Sequence, residues 1–123
     1  MSKCVLIVDD EEDVLSVTRL GLEMSAGWKV LIATSGQEAV TIATEQQPDL
    51  ILLDWMMPEM DGRATLKALR ANASTAKIPV ILVTAKAQSP DGDTFAGVDV
   101  IAVFAKPLRP LKLAALIDQA LER

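Results

Sequence analysis

The stretch LILLDWMMPEMDG, residues 50–62, decides the fold of this chain. Its first four residues are all apolar, which is typical of a strand that is buried on both faces of a parallel sheet. Pro58 and Gly62 then prevent the strand from continuing. Asp54 therefore lies where a buried strand ends, at the edge where open parallel sheets bind ligands. A single Asp at such a position is most often a turn residue, so a chemical role for Asp54 depends on the ends of the other strands.

Length and composition limit the classes of protein that this chain can belong to. With 123 residues, positions 1–123 are predicted to form a single domain with one core. The formal net charge of -5 disfavours binding to the phosphates of DNA, which requires clustered Lys and Arg. The single cysteine, Cys4, excludes an intramolecular disulfide, and because the chain has no histidine the usual zinc clusters are excluded as well.

The sequence also predicts where the protein works. No apolar run approaches the roughly 18 residues of a membrane span, and the N-terminus lacks the long apolar region of a signal peptide. We therefore expect a cytoplasmic protein that does not bind membranes.

Short apolar runs alternate along the chain with segments of helical periodicity. This alternation is typical of βαβ units, which build an α/β fold with a parallel sheet and helices on both of its faces. The predicted strands are Cys4–Val8, Lys29–Ala33, 50–53, 78–83 and 98–105, and the predicted helices are 12–24, 36–47, a segment that begins at 61–62, and 110–121.

Local signals mark the helix ends and the helix faces. Gly27 is expected to end the first helix, and Ser35 with Glu38 forms a capping-box pattern at the start of the second. Pro110 stands where a first-turn proline belongs. The apolar face of the last helix is predicted to comprise Leu113, Leu116, Ile117, Ala120 and Leu121.

Polar residues follow four of the predicted strands. Asp9 and Asp10 follow the first strand, Asp54 the third, Thr84 the fourth and Lys106 the fifth. Because parallel strands end at one edge of a sheet, these side chains are expected to lie close together. Crowded carboxylates repel one another unless a cation joins them, and Mg²⁺ typically binds one or two carboxylates together with phosphate and water. A metal, a lysine and a hydroxyl around an aspartate are suited to a phosphoryl group on that aspartate.

Each of these residues also has a purely structural explanation. Asp9 and Asp10 suit a helix N-terminus, where the helix dipole favours negative charge. Thr84 is a common β-branched strand residue, and Lys106 alone is most often a solvated lysine. Trp55 is either a contact for a partner or a packing residue. The hypothesis of a site therefore depends on the ordered set of residues rather than on any single one.

With these residues at its strand ends, the chain resembles the receiver domain of bacterial two-component response regulators. It is similar in plan to the chemotaxis response regulators. The resemblance covers essentially the whole chain. Each motif is weak alone, but together and in this order they are specific. The motifs are VDD at 8–10, DWMMPEMDG at 54–62, TA at 84–85 and KP at 106–107.

The resemblance implies an Mg²⁺ site and a phosphoacceptor. Asp54 is implied to accept a phosphoryl group from the phosphohistidine of a histidine kinase. Asp10 is implied to bind Mg²⁺ directly and Asp9 through a bound water. Met56 is implied to contribute its backbone carbonyl to the metal, which leaves its side chain free to vary.

The resemblance also implies roles for the remaining motif residues and for the fold. Thr84 is implied to bond a phosphoryl oxygen, and Lys106 to pair with the phosphoryl group. The peptide bond before Pro107 is commonly cis in the family. The implied fold is the flavodoxin-like five-stranded sheet of order 2-1-3-4-5. The implied protein is a switch that catalyses only its own phosphorylation and dephosphorylation.

The implied partners are a sensor histidine kinase or phosphotransfer protein and an output partner that the sequence does not identify. We expect a monomer or weak dimer that binds neither DNA nor membranes. Two arrangements are compatible with the sequence: the chain acts alone by docking a partner, or it is the receiver of a longer protein.

Two other function classes fit the same fold. A flavodoxin-like flavin-binding module needs a phosphate-cradling loop after the first strand, but here that loop is DDEED, residues 9–13. A phosphohydrolase with an Asp nucleophile usually carries a second acid two residues later, where this chain has Met56. Both alternatives therefore rank below the phosphorylated switch.

The chain departs from the family pattern in two places. Segment 87–97, where the family has its fourth helix, contains Ser89, Pro90, Gly92 and Gly97, so we predict a loop or a short, irregular helix there. The family's aromatic switch position is Val103, which is small and stiff. We therefore expect partners to read a face formed by strand four, segment 87–97, strand five and the last helix.

Overall fold

The computed structural model describes residues 3–55, 62–84, 100–106 and 108–122, and its strands form one parallel sheet. The sheet order is 2-1-3-4-5, as the sequence predicts. The strands are β1 (Cys4–Val8), β2 (Lys29–Ala33), β3 (Leu50–Asp54), β4 (Val80–Thr84) and β5 (Ala102–Ala105), and the helices are α1 (Glu12–Ala26), α2 (Gly36–Gln46), α3 (Gly62–Ala71) and α4 (Pro110–Leu121).

Strand β3 lies in the middle of the sheet. It pairs with β1 on one side and β4 on the other, and all five of its residues are buried. The sheet and the helices on both faces exclude water from this strand, which explains why its sequence is a continuous apolar run. Asp54 is the last residue of β3, so its carboxyl group belongs to a buried strand end in the middle of the sheet.

Helices cover both faces of the sheet and create two core clusters. Strand residues alternate between the faces, so Val103 packs with one cluster and its neighbour Phe104 with the other. Helices α1 and α4 contribute Leu15, Leu22, Leu113, Ile117 and Ala120 to the first cluster, whereas α2 and α3 contribute Ala39, Ala43, Leu66 and Leu69 to the second.

The predicted signals at two helix ends are found in the structure. The capping box differs from the usual pattern in one of its two hydrogen bonds. Gly27 follows α1 with φ of 68° and donates its N–H to the carbonyl of Glu23 at 3.0 Å. Ser35 Oγ accepts the N–H of Glu38 at 3.1 Å, as a capping box requires. The Glu38 carboxylate, however, accepts the N–H of Thr34 at 2.7 Å rather than that of Ser35.

Other predicted boundaries differ from those in the structure. Strand β4 begins at Val80 rather than at Ile78, because the Ile78 N–H bonds the carbonyl of Thr75 in the preceding turn. Strand β5 begins at Ala102, so the described residues Val100 and Ile101 precede it. Helix α1 continues two residues beyond the predicted end, to Ala26.

Leu116 was assigned wrongly to the buried face of the last helix. Its side chain is 43% exposed, whereas Leu113, Ile117 and Ala120 are buried. The residues that face the sheet recur at spacings of four and three, which leaves Leu116 beside the buried stripe rather than in it.

Several sequence predictions lie outside the described residues. They are the backbone role of Met56, the peptide bond before Pro107 and the form of segment 87–97. Among the described residues, no helix is long and apolar enough to cross a membrane.

Candidate functional site

Three carboxylates lie together at the C-terminal edge of the sheet. Asp9 directly follows β1, and Asp54 ends the neighbouring strand β3. Asp9 is 4% exposed and Asp54 is 2% exposed, whereas Asp10 faces solvent. One oxygen from each of the three carboxylates lies within 4.8 Å of the others. Negative charges this close to one another favour a bound cation.

Lys106 bridges the two buried carboxylates. Its Nζ lies 3.3 Å from Oδ2 of Asp54 and 3.5 Å from Oδ2 of Asp9. Partial burial by itself lowers the pKa of the Lys106 ammonium, but the negative charges of Asp54 and Asp9 raise it by more, so this pKa stands above its ordinary value. The sequence predicted that Lys106 would face a phosphoryl group on Asp54, but it did not predict the contact with Asp9.

Both oxygens of Asp9 are already engaged. Oδ2 faces Lys106, and Oδ1 accepts the backbone N–H of Glu11 at 2.9 Å. The backbone N–H of Asp9 donates to the carbonyl of Ala33 at the end of β2. Asp9 is therefore held in place by β2, by the residue that precedes α1 and by Lys106.

Backbone hydrogen bonds align the ends of β3, β4 and β5. The N–H of Trp55 donates to the carbonyl of Val83 at 3.0 Å, and the N–H of Lys106 donates to the carbonyl of Thr84 at 3.0 Å. Thr84 is 4% exposed and ends β4, next to the strand that carries Asp54. Asp54, Thr84 and Lys106 thus follow one another across three neighbouring strand ends.

Trp55 packs against the protein immediately after Asp54. Its half-buried ring contacts the core cluster of α2 and α3, and the guanidinium of Arg63 lies 5.0 Å from the ring centroid. Gly62, the first residue of α3, lies so close that an added Cβ would come within 2.6 Å of the Trp55 Cα and 2.8 Å of the Asp54 carbonyl oxygen. Arg63 was not identified from the sequence, because a stacking partner is recognised only in three dimensions.

The donor set of this site fits a hard divalent cation. Carboxylate oxygens are the ligands that Mg²⁺ prefers, and a carboxylate cluster with one solvent-facing member leaves room for the waters that this ion retains. Lys106 adds a fixed positive charge beside the most buried carboxylate. The site can therefore place two kinds of positive charge around a group that is attached to Asp54.

The sequence model of the response regulator receiver domain matches residues 5–118. The chain belongs to this family. Receiver domains act as signalling switches rather than as enzymes that turn over other substrates, so the family match supports neither a flavin-binding module nor a phosphohydrolase. The predictions of family and of sheet order are both confirmed.

Curated relatives of this receiver domain include a transcriptional regulator. The phosphate regulon transcriptional regulatory protein PhoB of Pseudomonas aeruginosa is 36% identical over 125 residues, which cover 100% of this chain and 53% of PhoB. The chain spans about half the length of the curated relatives it matches.

Solved structures of receiver domains share the fold along nearly the whole chain. The chemotaxis protein CheY4 of Vibrio cholerae superposes with a TM-score of 0.87 at 26% identity, over 98% of this chain and 99% of CheY4. The receiver domain of the sensor histidine kinase PA1611 from Pseudomonas aeruginosa, which has a magnesium ion in its active-site cleft, superposes with a TM-score of 0.85 at 25% identity over 100% of both chains.

Proposed function

We propose that this receiver domain is a phosphorylation-dependent switch in which Asp54 accepts a phosphoryl group from a phosphohistidine in an Mg²⁺-dependent reaction. The observation that carries this proposal is the position of Lys106, whose Nζ lies 3.3 Å from Oδ2 of Asp54 within the carboxylate cluster. A buried carboxylate beside a fixed positive charge is a nucleophile whose attacking oxygen is held in one place.

In the proposed transfer, a carboxylate oxygen of Asp54 attacks the phosphorus atom of the phosphohistidine. The new O–P bond forms as the P–N bond breaks, and the electron pair of that bond remains on the imidazole nitrogen. Lys106 stabilises negative charge on the phosphoryl oxygens as they reach Asp54. Water later attacks the same phosphorus, and the bond between phosphorus and the Asp54 oxygen breaks as the new O–P bond forms. This step releases inorganic phosphate and restores the carboxylate, so the domain catalyses only its own phosphorylation and dephosphorylation.

Asp10 and Asp54 would bind Mg²⁺ directly, and Asp9 would act through a bound water. The engagement of both Asp9 oxygens supports this division, because Asp9 has less capacity left for a metal than the exposed Asp10. The magnesium ion in the related PA1611 receiver supports the choice of metal. When bound, Mg²⁺ would neutralise part of the charge that the carboxylates and the phosphoryl oxygens share. The backbone carbonyl of Met56 is proposed as a further ligand.

Thr84 is proposed to bond a phosphoryl oxygen, because it ends the strand beside Asp54. Its movement would alter the face formed by β4, segment 87–97, β5 and α4. Two large apolar side chains of α4 support a docking role for this face, since Leu111 is 72% exposed and Leu116 is 43% exposed. The proposed partners are a histidine kinase or phosphotransfer protein and an output protein, and we place the reaction in the cytoplasm.

We also propose that residues 1–123 form a single receiver domain, which the family match over residues 5–118 supports. A monomer or weak dimer is the state expected of it. DNA binding by this chain is not part of the proposal, although relatives of about twice its length are transcriptional regulators.

Intact-mass spectrometry tests the proposed function. The protein is incubated with a small phosphodonor such as acetyl phosphate, with and without Mg²⁺. We expect the wild-type protein to gain the mass of one phosphoryl group only with Mg²⁺, and Asp54→Asn to gain none. Asp49→Asn, which removes an exposed carboxylate just before β3, is the matched control and should label like the wild type. Equal labelling of Asp54→Asn and the wild type would contradict the assignment of Asp54 as the phosphoacceptor.

A further inference from the structure

Gly21 occupies the interior of helix α1, where glycine is an unfavourable residue. The backbone of glycine loses more conformational freedom in a helix than that of alanine, so glycine lowers helix stability. Gly21 is not needed for a turn, since the positive-φ glycine of the described chain is Gly27, which follows the helix. The reason for a glycine here must therefore lie in what packs against it.

Pro110 of helix α4 packs directly on Gly21. An added Cβ at position 21 would collide with Cβ of Pro110 and would lie 3.0 Å from its Cα and its carbonyl carbon. These atoms belong to a proline ring and to the backbone, so they cannot rotate away as the end of a flexible side chain could. The absence of a side chain at Gly21 therefore sets how closely the start of α4 approaches α1.

Helix α4 has little freedom to adjust elsewhere. Leu113 and Ile117, one and two turns after Pro110, are fully buried in the core cluster that they share with Leu22 of α1. A well-packed core responds to added volume by shifting elements rather than by absorbing it. A larger side chain at Gly21 would therefore displace the first turn of α4, where the packing is least deep.

The first turn of α4 is connected to Lys106 by only three residues. Lys106 is fixed at its backbone by the hydrogen bond to Thr84 and at its ammonium by Asp54 and Asp9. Lys106 and Pro110 also line one groove of about 380 Å³ together with Val17 of α1. Because so few residues separate them, displacement of Pro110 is expected to displace Lys106 as well.

We propose that Gly21 is a positioning residue for Lys106. By allowing Pro110 to lie against α1, it fixes the connection that holds the Lys106 ammonium between Asp54 and Asp9. An effect of Gly21 on phosphorylation rests on the proposed function. The contact of Lys106 with the two carboxylates does not rest on it, so the two are tested by separate measurements.

A double-mutant cycle measured by urea unfolding without Mg²⁺ tests the positioning. In the wild type, Lys106→Met should raise the unfolding equilibrium constant about 10-fold, because buried carboxylates lose their partner. In Gly21→Ala, where the lysine is already displaced, the same change should raise it less than about 3-fold. Lys112→Met, an exposed lysine of α4, is the control and should have the same effect in both backgrounds.

A second measurement asks whether the position of Lys106 matters for phosphorylation. Gly21→Ala should be labelled by acetyl phosphate about 5-fold more slowly than the wild type at saturating Mg²⁺, with Mg²⁺ affinity unchanged within about twofold. If acetyl phosphate does not phosphorylate the wild-type protein, the proposed function is contradicted. The unfolding cycle still tests whether Gly21 positions Lys106. If Gly21→Ala does not fold, Pro110→Gly removes the same contact and takes its place in both measurements. Equal costs of Lys106→Met in the two backgrounds would overturn the inference.

Discussion

The ammonium of Lys106 lies 3.3 Å from Oδ2 of Asp54, and the same ammonium also lies 3.5 Å from Oδ2 of Asp9. One lysine thus pairs with two carboxylates that are almost wholly withdrawn from water. Removal of the Lys106 charge should therefore have different effects on the stability of the protein and on its phosphorylation.

Lys106→Met should lower the free energy of unfolding by about 1–2 kcal/mol in the absence of Mg²⁺, because Asp54 and Asp9 remain buried without a counter-charge. The variant should bind Mg²⁺ at least as tightly as the wild type, since a competing cation has been removed, and yet be phosphorylated more slowly. Urea unfolding, calorimetric Mg²⁺ titration and labelling rates measure the three effects. Lys112→Met serves as the control, and a Lys106→Met protein with weakened Mg²⁺ binding would count against this account.

Asp10→Asn should weaken Mg²⁺ binding by about 10-fold or more, equivalent to about 1.4 kcal/mol, because one direct carboxylate ligand is lost. Asp13→Asn provides the matched control, since Asp13 is an exposed acid of the first turn of α1 outside the carboxylate cluster. Isothermal titration calorimetry compares the two variants. Similar losses in both would indicate diffuse attraction by the acidic loop rather than coordination by Asp10.

The thiol of Cys4 gives a pH-dependent probe of the fold. Burial raises the pKa of this thiol, Lys29 lowers it and Asp49 raises it, with a net rise above its ordinary value. A raised pKa means that folding favours the neutral thiol, so its contribution to stability is present below the unfolded pKa and is lost as pH rises through the folded pKa. The pH midpoint of the iodoacetamide reaction should therefore be higher in the folded protein than in urea.

Lys29→Met should raise that midpoint further, because it removes a positive charge that favours the Cys4 thiolate. A folded midpoint at or below the midpoint in urea would contradict the assigned environment of the thiol.

The chain should not bind duplex DNA, despite the transcriptional regulators among its relatives. The net charge of -5 repels phosphate backbones, and affinity for them requires clustered positive charge. Fluorescence anisotropy with a labelled duplex at low salt measures this directly. Salt-sensitive binding in the micromolar range or tighter would refute the prediction.

Much of the fold follows from the sequence because β1, β2 and β3 each contain an uninterrupted run of at least four apolar residues. The boundaries of β4 and β5 were less predictable, because apolar residues such as Ile78 and Ile101 precede these strands without joining them. Leu116 was misassigned for a similar reason: an apolar residue beside a buried helical stripe resembles a member of it.

The composition of the candidate site was predictable because parallel strands end together, which brings Asp9, Asp54 and Lys106 to one edge. The contacts that support the site were not predictable. Lys106 pairs with Asp9 and Pro110 packs on Gly21 although these residues lie far apart in sequence. Arg63 stacks on Trp55, only eight residues before it, because the start of α3 lies close to the end of β3. The glycine at position 21, inside a helix, was a signal of close packing, but the sequence does not indicate that Pro110 packs against it.

Mapping the phosphoryl group to a residue tests the central claim most directly. After labelling with acetyl phosphate and Mg²⁺, borohydride reduction converts an aspartyl phosphate to homoserine, which peptide mass spectrometry then locates. We predict homoserine at position 54 alone, and none when Mg²⁺ is omitted. Homoserine at position 9 or 10 with an unmodified Asp54, or labelling without Mg²⁺ to the same extent, would contradict it.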